Sequence, residues 1–167
     1  MAHFAEIRQV TDPTGFTTDK HWVVHRVVVV DNKHVPSNEH VDGETWCINF
    51  FGPLTTWKQT SYNNNFRKQY AGSGDIYDYA KNKFLNRQPY ASWSLDDNDD
   101  WQAPVISPLK HDSNYPATYI INWDEAEQKW WGIKRTMTDE GKNRTIWDWD
   151  PSSLTWVFVK NKPDPIG

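Results

Sequence analysis

Cysteine occurs once, at Cys47, so no internal disulfide can brace this chain. Basic residues are not in excess either. Eighteen Lys and Arg stand against 22 Asp and Glu, a formal net charge of −4 in 167 residues. A surface that tracks phosphates needs the opposite balance, so no nucleic-acid partner is expected. No apolar run approaches the roughly 18 residues of a spanning helix. The opening MAHFAEIRQV has no apolar centre of the length a secretory leader needs. The expectation is a soluble product of the cytoplasm with no membrane partner. Aliphatic side chains are also few, which leaves the core to be built from something else.

That something is rings. The chain holds 11 Trp, 7 Tyr and 7 Phe. Each aromatic side chain can bury roughly 150–250 Å² on only two rotatable bonds. Few residues can therefore stabilise a thin protein, and the same rings suit recognition surfaces.

The expected fold is mainly β: a small N-terminal antiparallel sheet with one short helix, followed by successive aromatic β-hairpins. His3–Gln9 alternates in polarity, and Val23–Val30 is a β-branched run that ends at the turn residues Asp31 and Asn32. Between them, Thr11–His21 contains Asp12-Pro13 and Gly15 and reads as a long loop. Glu44–Phe51 is the candidate short helix, stopped by Gly52-Pro53. Thr56–Tyr62 alternates like a strand, Asn63–Asn65 turns, and Phe66–Tyr70 is expected to return as its partner. The expected organisation is an N-terminal β-rich body with the helix, 1–88, and an aromatic hairpin array, 89–167, either separate from the first or packed with it as one domain.

From Tyr77 onward an apolar pair spaced by two precedes a further aromatic, after a short polar stretch. This happens at Tyr77-x-Tyr79…Phe84, Trp93-x-Leu95…Trp101, Ile121-x-Trp123…Trp130 and Trp147-x-Trp149…Trp156. Four hairpins are expected, with Trp123 facing Trp130 and Trp149 facing Trp156 across their ladders. Asp139–Arg144 reads as a turn, and Lys160–Gly167 as a tail or docking strand. Most rings belong in the core, but a sheet one layer thick has two faces. Adjacent Trp130 and Trp131 must point to opposite sides, while Trp147 and Trp149 share one. Trp130, Trp131, Trp147 and Trp149 are therefore the candidate contact residues, for a neighbouring protein or a sugar.

Catalytic and metal chemistry finds little footing. His21 and His25 are four apart, but on a strand that separates them by roughly 13 Å, which does not suit zinc. Asp96–Asp100 (DDNDD) is oxygen-rich, yet it lacks the glycine and distal glutamate of the helix-loop-helix calcium motif, and a solvated hairpin tip is favoured. Cys47, between Trp46 and Ile48, reads as buried filler. Gly72-Ser73-Gly74 lacks the ending of a phosphate loop. No pair of carboxylates stands out for glycoside hydrolysis. No catalytic residue, metal or cofactor is expected.

The block TWKQTSYNNNFRKQYAG, Thr56–Gly72, together with the opening MAHFAEI, the Val-rich strand ending at Asn32, the segment Glu44–Gly52 and the Pro-x-x-Ser-Trp-x-Leu stretch Pro89–Leu95, resembles a family of small proteins encoded by tailed phages of marine cyanobacteria and related marine bacteria. The chain departs from shorter members in a longer Thr11–His21, a tighter Ala80–Lys83 and an additional hairpin at Trp147–Trp156. The resemblance implies a non-enzymatic virion structural or accessory protein on the capsid or tail exterior. Its implied partners are other virion proteins, and it would be multimeric within the particle. A host-polysaccharide adhesin and a cytosolic fibre-assembly chaperone or host-directed factor are the alternatives.

Overall fold

The computed structural model describes residues 1–36, 40–110, 119–135 and 143–163. The chain is mainly β, with one α-helix, antiparallel sheets that include a half-barrel, and a C-terminal sheet of hairpins. It forms two compact units. The first comprises Met1–Pro89 and Leu95–Trp101; the second comprises Tyr90–Ser94 and the described residues from Gln102 onward.

In the first unit, β1 (Ala2–Thr11), β2 (Lys20–Val30), α1 (His40–Phe51), β3 (Thr56–Thr60), β4 (Ile76–Asp78) and β5 (Lys83–Leu85) follow in chain order, and the sheet runs β3-β1-β2-β4-β5. Alternation explains how β1 builds two layers at once. Phe4 faces α1 among Val30, Val35, Cys47 and Trp57, while Ala5 and Ile7 face Val24, Ala71, Tyr77 and Phe84. The centre of β1, Phe4 to Ile7, is therefore buried on both sides, whereas the VVVV run of β2 is covered unevenly, with Val30 buried and Val29 54% exposed. α1 presents Gly43 and Cys47 inward, one helical turn apart. Gly43 lies under the Phe4 ring: a Cβ there would stand 2.0 Å from Phe4 Cζ. The helix ends at Gly52, whose φ of 124° suits glycine and whose N–H donates to the Ile48 carbonyl.

A carboxylate lies inside this core. Glu6 is 2% exposed and faces Arg26 across the ladder. Its carboxylate accepts from Arg26 Nε at 2.6 Å and from Arg8 Nη2 at 2.8 Å. Burial pushes the Glu6 carboxyl up, but the two guanidinium groups outweigh it and hold it below its ordinary value. Arg26 in turn lies over the Phe51 and Trp57 rings, at 4.9 and 5.6 Å.

Phe66–Tyr70 does not return as a strand. Asn64, Arg67 and Lys68 have φ of 58°, 54° and 69°, which no strand accommodates. Side chains satisfy this loop's backbone instead: Asn65 N–H donates to Ser61 Oγ, Tyr70 N–H to Asn64 Oδ1, and Ala71 N–H to Thr60 Oγ1. Arg67 fastens it, donating to Glu44 of α1, to the Gln59 carbonyl and to Asn82. The 11–21 link is shorter than the sequence suggests, because β1 runs to Thr11 and β2 starts at Lys20.

β6 (Ser94–Leu95) and β7 (Trp101–Gln102) make a two-stranded ladder. Its tip is only in part the solvated acidic turn expected: Asp97, Asn98 and Asp100 are exposed, but Asp99 is not. Asp99 is 9% exposed and bonds Lys81 and Lys83, and Asp100 bonds Lys68. Three lysines supply opposite charge that the DDNDD spacing gives no hint of.

The second unit's sheet is a meander of β8 (Tyr119–Asp124), β9 (Lys129–Arg135), β10 (Asn143–Asp150) and β11 (Thr155–Pro163), in the order β11-β10-β9-β8. All four expected hairpins form. Of the remaining sequence readings, the turn expected at Asp139–Arg144 falls mostly outside the described residues, and of the tail expected from Lys160, the residues to Pro163 belong to β11.

Three hairpins share one device. Tyr77 faces Phe84, Trp123 faces Trp130 and Trp149 faces Trp156, with ring centroids 5.0, 5.1 and 5.4 Å apart. An Asp follows the first ring each time, and its carboxylate accepts a turn N–H: Asp78 from Lys81, Asp124 from Glu127, Asp150 from Ser152. Two residues before the closing ring the backbone turns left-handed, at Asn82, Gln128 and Leu154 with φ of 51°, 50° and 54°.

Candidate interaction surfaces

Register fixes which face of the second sheet each residue takes. Trp123, Trp130, Trp149 and Trp156 fall on one side with Tyr119, Ile121, Gly132, Trp147 and Phe158. Trp123, Trp130 and Trp149 are buried at 7%, 7% and 4% exposure. Tyr90, Trp93, Ala103 and Val105 pack onto them. Polar bonds bolt this cover down. Trp130 Nε1 donates to the Val105 carbonyl at 3.0 Å. Glu125, in the β8–β9 turn, accepts from Trp123 Nε1 and from both the N–H and hydroxyl of Ser92. The Trp123 indole first, then Ser92, keep the Glu125 carboxyl below its ordinary range. Trp149 Nε1 finds no hydrogen-bond partner among the described residues. An orphaned donor costs about 1–3 kcal/mol, which the packing of its ring must offset.

Trp147 is half-buried on this same face, beside Tyr119 at 6.0 Å and Phe158 at 5.5 Å, with Lys134 Nζ 5.3 Å from its ring. The β10–β11 register shifts by one residue between Ile146, opposite Lys160, and Trp147, opposite Phe158. Gly132 leaves room for the Trp156 ring, whose Cη2 would lie 3.1 Å from a Cβ added there.

Trp131 is on the other face, as adjacency to Trp130 requires. Its cross-strand partners are Asn122 and Asp148. Beside it Ile120, Ile133 and Ile146 stand directly opposite one another across three strands. Ile120 is 42% exposed and Val157, opposite Asp148, is 50% exposed. Lys129 completes the surface with ion pairs to Asp148 at 2.8 Å and Glu127 at 2.7 Å. Its ammonium pKa rises, through the Asp148 bond first and the Glu127 bond second. Among the described residues the unit's core cluster lies wholly on the tryptophan face. Of the four candidate contact residues, the structure thus brings Trp130, Trp147 and Trp149 together and sets Trp131 apart.

The isoleucine row is a feature that reading the sequence missed. Its signal lies in the hairpin register: an isoleucine stands an odd number of residues from a facing Trp on each of three strands. Cys47 is buried, and burial pushes its thiol up to about 12, so it is a neutral filler of the α1 core. No group of three His, Cys, Asp or Glu among the described residues is placed to hold a metal ion. No described helix is long and apolar enough to cross a membrane.

No family model, curated protein or solved structure matches the chain.

Proposed function

We propose that the protein is a non-enzymatic structural or accessory component of a phage particle, on the capsid or tail exterior, and that it works by packing against other virion proteins in multiple copies. The observation that carries this reading is the second sheet's Trp131 face. A row of three isoleucines beside Trp131, with Val157 and the Lys129–Asp148 ion pair next to them, has the make-up of a protein contact, in which apolar side chains adjoin paired charges. The resemblance of Thr56–Gly72 to small marine-phage proteins supports the setting.

Mass spectrometry of gradient-purified, salt-washed particles tests the setting, and the protein is expected among their components. Its presence in infected cells but absence from particles would overturn the reading and favour the cytosolic chaperone. A Trp131→Glu change tests the surface. The variant is expected to fold, because Trp131 lies outside the core cluster, and to be lost from particles. Truncating such an anchor commonly costs roughly 2 kcal/mol or more of binding. Normal incorporation would remove Trp131 from the contact.

A further inference from the structure

The first unit contains a cleft of about 520 Å³ between the start of β2, the β4–β5 hairpin with the residues after it, and the 95–101 hairpin tip. Sites for small molecules run roughly 300–1,000 Å³, so the size is suitable. We propose that this cleft binds a neutral saccharide, with Trp22, Tyr79 and Trp101 as stacking plates and Asp19, His21 and Arg87 as hydroxyl-recognising groups. The site is separate from the second sheet and does not depend on the reading of that sheet.

The plates are exposed enough to be used. Tyr79 is 46% exposed, and Trp22 and Trp101 are each half-buried. They are also fixed. Trp22 meets Tyr79 edge-on at 5.4 Å, and Lys58 Nζ lies 5.0 Å from the Tyr79 ring. Trp101 Nε1 donates to the Asn86 carbonyl at 2.8 Å, and the Asn86 side chain accepts from Gln69. Asp12 organises the adjoining loop rather than the ligand. One carboxylate oxygen accepts from the Thr14 N–H and hydroxyl and the other from those of Thr17, and these bonds, the Thr14 hydroxyl first, hold its carboxyl far below the usual range. Walls set before the ligand arrives reduce what binding must spend on ordering.

The polar groups select the ligand class. Asp12, Asp19 and Asp78 line the cleft against Lys20 and Arg87, an acidic excess that opposes a phosphate or other dianion. A wholly apolar ligand would desolvate Asp19 and Arg87 with no replacement for their water. A pyranose satisfies both demands, because its C–H face lies on a ring while its rim of hydroxyls both donates and accepts. Carboxylate, guanidinium and imidazole supply the complementary acceptor and donors.

The test uses the full chain, labelled so that each indole N–H gives its own signal. It is titrated to about 10 mM with maltohexaose, cellohexaose and laminarihexaose in turn, well above a dissociation constant on the order of 1 mM for a shallow stacked ligand. With at least one of these sugars, the Trp22 and Trp101 signals are expected to move and saturate, while those of Trp123 and Trp149 stay in place. Tyr79→Ala and Arg87→Ala, both at exposed positions, are each expected to weaken binding about tenfold or more. The idea is overturned if no sugar moves either signal, if movement is confined to Trp147 and Trp156, or if both variants titrate like the parent. The parent titration decides the matter even if a variant fails to fold.

Discussion

The two units bury aromatic rings by opposite means. In the first, a helix covers one face of the sheet while a loop and the curled β4–β5 hairpin cover the other, so Phe4 and Ile7 on one strand serve separate clusters. In the second, no α-helix is present among the described residues, and large rings on one sheet face take its place. A Trp cluster provides the volume of a second layer with few residues. The cost is that the reverse face keeps its isoleucines in reach of solvent.

That contrast can be broken by attacking each core in turn. Trp130→Ala removes a buried ring and the bond to Val105 and should cost about 3–5 kcal/mol. Hydrogen exchange should then accelerate in β8 to β11 and not in β1 to β3; equal loss everywhere would mean that the two cores are one. Gly43→Ala drives a methyl into the Phe4 ring and should cost about 1–3 kcal/mol, with the reverse pattern of exchange. Leu154→Gly relieves a left-handed backbone at an exposed turn and should stabilise the β10–β11 hairpin by roughly 1 kcal/mol, read as slower exchange on β10.

The smallest effect is electrostatic. Lys81 first and then Lys83 hold the Asp99 carboxyl at about 2, against an ordinary 3.8. The unfolded chain therefore takes up this proton at a higher pH than the folded one. Asp99 supports the fold fully above 3.8, and its support disappears as pH falls through about 2. The melting temperature of the parent should fall more steeply over that window than that of Asp99→Asn, and parallel curves would show that the docked tip contributes nothing.

Much of this was legible in the residues. Equal spacing of Trp123 to Trp130 and of Trp149 to Trp156, with turn-rich interiors, was enough to fix both registers. The helix was legible in its stop at Gly52-Pro53, although its first turn, which begins at His40, carries no hydrophobic pattern. Phe66–Tyr70 misled because its aromatic ends suggest a strand, while the decisive facts are local bonds from Ser61, Asn64 and Thr60 that no periodicity encodes. The docked acidic tip and the cleft were out of reach for a related reason. Lys81 and Asp99, or Trp22 and Trp101, meet only once the chain has folded.

The repeated Asp-capped hairpin also bears on how quickly the two halves form. Facing rings in each such hairpin are near neighbours in sequence, so every closure is short, and a hairpin forms in about 1–10 μs. The first sheet must instead bring His3 to Thr60 and hold them while α1 settles. Low contact order favours speed, so the Trp ladders should appear early in refolding, with the β1–β3 pairing as the slow step. During synthesis the order of emergence is the reverse: the slow-folding segment leaves the ribosome first and the fast-closing one last.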